Sequence, residues 1–150
     1  MIDHADLARE LFMKGYNCAQ AVFCAFGDMT GLDIDTAAKL ASSFGGGLGR
    51  LREVCGTVSG AALVLGIVRG YSTPGDQEVK AAHYRTVQEF ARRFSEQNGS
   101  IICRELLAGT GATTGGEPEP RTPDFYKKRP CPELAWCAAR ILDQMLNGDE

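Results

Sequence analysis

The stretch FGGGLGRLREVCGTVSGAALVLG, residues 44–66, sets a chain break directly before an apolar helix and so decides the fold. Four glycines between Phe44 and Arg52, with no strong helix former to oppose them, predict a loop. From Cys55 to Val68 the residues are mostly apolar or small, which predicts a central helix over roughly 55–69. Its most apolar part, Val58 to Val68, falls short of the about 20 residues that cross a bilayer, so a buried core helix is expected and no membrane span. Gly56, Gly60 and Gly66 would let another helix pack closely on it.

Helices are expected on both sides of this centre. Asp3 caps one that runs to about Lys14, with Leu7, Ala8 and Leu11 on one face and Gly15 at its end. Asn17 caps a second from Cys18 to Phe26. A turn between Gly27 and Gly31 leads to a helix from Asp33 or Asp35 to Ser43, with Ile34, Ala37, Ala38 and Ala41 as its apolar side. After a turn at Ser72 to Gly75, a long helix from about Asp76 to Gln97 carries Val79, His83, Val87, Phe90 and Phe94 at helical spacing. Ser100 caps a short helix to Ala108. Residues 109–129 begin with a stretch rich in Gly, Thr and Pro and read as a loop with room to move. Cys131-Pro132 opens a last helix to Leu146, with Leu134, Ile141, Leu142 and Met145 available for the core. No run alternates like a strand. The expectation is an all-α, single-domain bundle over residues 1–150, with about six to seven helices around the glycine-containing central one.

The bulk composition removes several classes of function. A chain of 150 residues, 44% hydrophobic and 23% charged, can bury a core without disulfides. Its net charge of -3 offers no basic excess for phosphate backbones, so nucleic acid is not an expected partner. The N-terminus, MIDHADLARELFMKGY, has acidic residues and no uninterrupted apolar core, so it does not read as a signal peptide. A cytoplasmic location follows as an expectation, and there six cysteines point to metal or redox chemistry and away from a disulfide framework.

On the helix map the cysteines divide into two groups. Cys18, Cys55, Cys103 and Cys131 fall in first turns, where free backbone N–H groups and the helix dipole favour a thiolate. Arg50 and Arg52 precede Cys55, and Lys127, Lys128 and Arg129 precede Cys131. All four thiols are therefore expected to be more acidic than free cysteine. Cys24 and Cys137 lie in apolar runs and read as packing residues. There is no CxxC and no CxxCH, so any joint site must be assembled by folding. The glycine segment lacks the GK[ST] of a P-loop and the GxGxxG of a dinucleotide fold. Gly56 and Gly60 remove bulk beside Cys55. With Gly45, Gly46, Gly47 and Gly49 they are the expected lining of a space for a cofactor or a partner thiol.

The order NCAQAV at Cys18, FGGGLGR and VCGTVSGA around Cys55, CRELLAG at Cys103 and CPELAWCAARIL at Cys131 resembles the C_GCAxxG_C_C family of redox-active proteins across nearly the whole chain. Thr57 stands where the family name suggests alanine. The resemblance implies a domain of about this length, four characteristic cysteines carried onto Cys18, Cys55, Cys103 and Cys131, and a redox role with no settled substrate.

Three functions fit these residues. The first is a thiol–disulfide oxidoreductase or carrier serving an unidentified redox partner, with Cys55 as attacking thiolate and Cys18, Cys103 or Cys131 resolving it. The second is a binding protein or electron carrier in which Cys18, Cys55, Cys103 and Cys131 ligate a metal ion or an iron–sulfur cluster. The third is a helical interaction module without chemistry, whose exposed faces leave room for a homodimer. His83 is expected as a core or interface residue, His4 at the surface, Trp136 and Tyr126 as packing residues. The acidic pairs Glu117/Glu119 and Asp149/Glu150 are expected to be solvated.

Overall fold

Helix starts in this chain are written by short polar side chains, and the structure, a computed structural model that describes residues 3–148, follows them closely. Asp3 accepts from Asp6 N ahead of α1 (His4–Met13), and Asn17 and Gln20 form a reciprocal capping box on α2 (Cys18–Ala25). The turn expected after Phe26 contains one helical turn, α3 (Gly27–Thr30), closed by left-handed Gly31. Asp33 caps α4 (Ile34–Ala41), which passes through a 3-10 turn (Ser42–Phe44) into α5 (Gly45–Leu48). The central helix is α6 (Gly56–Arg69), followed by α7 (Gln77–Asn98) on its Asp76 cap, α8 (Cys103–Leu106), α9 (Pro123–Lys128) and α10 (Cys131–Leu146). The fold is all-α. Six of these helices have eight residues or more, and among the described residues no strand forms beyond one isolated antiparallel bridge between Val54 and Ile102.

Two helix pairs organise the packing. α1 lies along α10, and α2 lies along α6. Ala5, Ala8, Leu11 and Phe12 of α1 meet Leu134, Ala138, Ile141 and Leu142 of α10 in the same buried cluster as Val22 and Phe23 of α2, Phe26 directly after it, and Ala61, Val64 and Leu65 of α6. At Gly60 the two central helices touch backbone to backbone, because a methyl group there would lie 2.6 Å from the Ala19 carbonyl oxygen. Gly66, expected to serve the same purpose, has nothing within 4 Å and is exposed.

Other expectations change in the folded chain. Ile34 and Val79, assigned to apolar faces, are 46% and 45% exposed, because α4 buries only Ala37 and Ala41 and α7 buries only Phe90 and Phe94. Ser100 does not cap α8. Its hydroxyl accepts from Ile102 N and contacts Glu105, while Ile102 takes the cap position. The loop expected over 109–129 ends early, since Thr122 caps α9 and Pro123 starts it with its φ already set for a helix. His4 is buried, stacked on Phe26 at 4.1 Å and bonded to Asp28 and Asp143, both at 2.8 Å. It was expected at the surface, and two carboxylates and a ring here take the place of water. Asp149 and Glu150 lie outside the described residues.

Candidate functional site

The glycine segment coils the wrong way for L-amino acids. Gly46, Gly47, Leu48, Gly49, Arg50 and Arg52 all have φ between 54° and 72°. For Leu48, Arg50 and Arg52 this conformation costs on the order of 1–2 kcal/mol each. Hydrogen bonds offset the strain: Arg52 N donates to Gly46 O at 3.1 Å and Glu53 N to Gly47 O at 2.9 Å. Outside the coil, Arg50 N and O reach Gly45 O and Gly115 N, while the Arg50 and Arg52 Nε atoms donate to Gly115 O and Thr113 O, each at 2.9 Å. The coil and residues 113–115 are therefore one unit.

This coil gathers the cysteines. Gly47 has no room for a side chain, since a methyl there would lie 2.7 Å from Cys103 Cβ. A methyl on Gly56 would collide with Cys18 Sγ, and one on Gly45 with the side chain of Asn17. Directly after the coil, Cys55 N donates to Ile101 O at 2.7 Å and Cys103 N to Glu53 O at 2.6 Å, so the bridge at Val54 and Ile102 sets Cys55 and Cys103 on adjoining strands of backbone. Cys18 and Cys131 arrive as the first residues of α2 and α10, and Cys55 is the residue that caps α6. The expected first-turn positions hold for Cys18, Cys103 and Cys131, and Cys55 stands one place earlier, as the cap.

Their expected acidity does not hold. Burial raises the Cys18 thiol above its usual value, against hydrogen bonds from the N–H groups of Gly46, Ala19 and Cys18 that favour the thiolate. Burial and then the charge of Cys18 push Cys55 up to about 12. Cys131 is raised by burial, then by Cys18 and Cys55, with Arg129 opposing. A helix N-terminus is worth a fraction of a unit to a few units, and removal from water outweighs it here. Arg50 and Arg52, read from the sequence as activating Cys55, do not act on it: Arg52 Nη1 contacts Cys103 Sγ at 3.7 Å, and Cys55 Sγ has Thr57 Oγ1 as neighbour at 3.1 Å. Packing brings the four thiols to one place around the coil: Cys18 Sγ lies against Gly56, next to Cys55, Cys103 Cβ lies against Gly47, and Cys18 and Cys131 share the wall of one cavity.

Cys24 and Cys137 stand apart from this cluster. Cys24 sits on α2 beside the Ile34 carbonyl, pushed up to about 11 by burial, and Cys137 Sγ contacts Gln97 and Asn98. His83 packs edge-on to Tyr71, Trp136 Nε1 donates to Asp6, and Tyr126 joins Phe12 and Phe125, all of them outside the thiol cluster.

A cavity of about 110 Å³ reaches the cluster from outside, with Cys18 and Cys131 in its wall. Of the six glycines expected beside a cofactor, Gly46 lines it; Gly45, Gly47, Gly56 and Gly60 instead make the close approaches described above, and Gly49 supplies a left-handed turn. Arg50, Arg52, Arg121 and Arg129 also line the cavity. Arg121 carried no sequence signal, lying in a Gly- and Pro-rich stretch, yet it donates to Phe12 O and Tyr16 O and covers the Phe12 ring at 4.1 Å. Glu119, expected to be solvated, is half-buried and paired with Arg129 at 2.6 Å. Among the described residues no group of three or more His, Cys, Asp or Glu side chains is arranged to hold a metal ion.

The sequence model of the C_GCAxxG_C_C family, described as a putative redox-active protein, matches residues 16–145. The chain belongs to that family. No curated protein and no solved structure matches it. As a C_GCAxxG_C_C protein it has four cysteines at helix starts, brought together around the glycine coil, and among its described residues no helix is long and apolar enough to cross a membrane.

Proposed function

We propose that this C_GCAxxG_C_C protein carries electrons by thiol–disulfide exchange, with Cys18 and Cys131 meeting the substrate and Cys55 and Cys103 lying behind them. The observation that carries this reading is the arrangement of the thiols: Cys18 and Cys131 line one cavity open to the outside, with Cys18 Sγ packed on Gly56 beside Cys55 and Cys103 packed on Gly47. Cys55, the attacking residue expected from sequence, is 95% buried and outside that cavity, so it is better placed to pass electrons inward than to receive a substrate.

In the reducing direction the Sγ of one cavity cysteine, as thiolate, attacks a sulfur of a substrate disulfide R–S–S–R. The substrate S–S bond breaks, R–S⁻ leaves, and it takes up the proton the cysteine gave. The second cysteine then displaces the remaining R–S⁻ and closes a protein disulfide. Two electrons and two protons pass from the protein to the substrate, which leaves as two thiols. The raised thiol values keep the resting protein protonated and slow to react with indiscriminate oxidants.

Equilibration in glutathione buffers of graded potential, followed by alkylation and peptide mapping, tests the proposal. One or two disulfides drawn from Cys18, Cys55, Cys103 and Cys131 are expected, with Cys24 and Cys137 alkylated throughout. If all six cysteines stay reduced in the most oxidising buffer, or if only Cys24 and Cys137 oxidise, the proposal is wrong.

A further inference from the structure

The cavity beside Cys18 and Cys131 has four guanidinium groups against one carboxylate, that of Glu119. Most of their donors are spent. Arg50 holds Gly115 and Thr113, Arg121 holds two carbonyls beside α1, and Arg129 holds Glu119. Arg52 is different: it is 96% buried, and its Nη2 has no hydrogen-bond partner. A buried, charged donor without an acceptor is an expensive state; Nη2 is closed off from both cavities that Arg52 borders, and a small turn of the guanidinium toward an entering acceptor would relieve that cost. The first residues of α2 and α10 form part of the same wall as the four arginines.

We infer that this cavity is an oxyanion site which seats the anionic group of the disulfide on which Cys18 and Cys131 act, so that the substrate class is a small anionic disulfide. The inference rests on the proposed thiol exchange for its substrate, but anion binding stands on geometry alone. Guanidinium forks match the oxygens of sulfate, phosphate or carboxylate, and about 110 Å³ admits a group of that size while leaving the rest of a substrate outside. Glu119 already imitates the ligand. Its carboxylate lies 2.6 Å from Arg129 and 3.8 Å from Arg50, and an incoming anion must displace it. Arg52 also borders a second cavity, which contains Arg104 and no cysteine, so the location has to be tested along with the binding.

Sulfate is the probe for binding, titrated by calorimetry at constant ionic strength with chloride as the balancing ion. Reduced protein binds it, and Glu119→Gln binds it roughly tenfold more tightly because a competing charge is gone. A gain of affinity cannot come from misfolding. Arg104→Gln leaves sulfate binding unchanged; if it abolishes binding while Glu119→Gln changes nothing, the anion belongs to the second cavity and the inference is overturned. The reaction arm compares anionic dithiobis(nitrobenzoate) with neutral dithiodipyridine. Sulfate should compete with the first and leave the second unaffected. Equal rates for both, with no effect of sulfate on either, overturn the oxyanion site and leave thiol exchange standing. Sulfate binding without reduction of either disulfide overturns the proposed function and the substrate assignment, and leaves the anion site standing.

Discussion

A thiol removed from water holds its proton more tightly, and that fixes the sign of the pH dependence. Cys55 has a usual value of 9.0 and is pushed up to about 12 in the fold, first by burial and then by Cys18. Below pH about 9 the folded and unfolded chains both carry the proton, and its stabilising contribution is complete. Above that, the unfolded chain releases the proton while the folded chain keeps it, so stability falls with rising pH until about 12. Cys18 and Cys131 are shifted in the same direction and add to the slope. Each thiol contributes up to about 1.4 kcal/mol per pH unit in this window. Cys55→Ser does not titrate there and keeps an oxygen beside Thr57. Urea unfolding at about pH 8 and about pH 10.5 should therefore show a shallower loss of stability in the variant than in the parent. Equal slopes would mean that Cys55 is hydrated in the folded protein.

At the scale of the element, one helix carries three glycines with different work to do. Gly56→Ala sets a methyl against Cys18 Sγ, and Gly60→Ala sets one 2.6 Å from the Ala19 carbonyl oxygen, so each forces α2 and α6 apart. Overpacking of this kind costs about 1–3 kcal/mol. Gly66→Ala meets nothing within 4 Å on an exposed helix position and should stabilise by about 0.5–1 kcal/mol. Chemical denaturation of the three variants checks both signs, and destabilisation by Gly66→Ala would mean that α6 is covered there in solution. The sequence placed these glycines on the correct helix because their spacing is local, but it could not rank them, since the partner Ala19 lies far along the chain. Helix starts were readable for the same reason: Asn17, Asp33 and Asp76 bond N–H groups three residues on. Thr122-Pro123 is an equally local signal for α9, hidden by the Gly- and Pro-rich composition before it. Nothing local announces left-handed torsions at Leu48, Arg50 and Arg52, whose strain is supported by residues 113–115.

Across the whole molecule, the thiol cluster needs four helix starts held in register, and the α1–α10 pair sets one side of that frame. The cluster itself was legible only as a list of first-turn cysteines; which arginine meets which thiol depends on contacts such as Arg52 with Cys103, 51 positions apart. The frame has a lock of the same long-range kind. His4 bonds Asp143 of α10 through Nδ1 and Asp28 of α3 through Nε2, and its ring lies on Phe26. His4→Phe retains the stacking and removes both hydrogen bonds. It leaves two carboxylates facing an apolar ring, and Asp143 is already raised by burial. The expected cost is about 1–3 kcal/mol in urea unfolding. Adding Asp143→Asn to His4→Phe should recover part of that loss, because the amide no longer brings a charge to the site. Hydrogen exchange distinguishes this lock from a local contact. In His4→Phe, amides at the start of α1 and around Asp143 near the end of α10 should exchange faster, and, with α10 held less firmly against α1, Cys131 at its other end should become the first thiol to gain reactivity toward alkylation. If exchange rises in α1 alone, α1 and α10 are held independently and His4 does not support the thiol cluster.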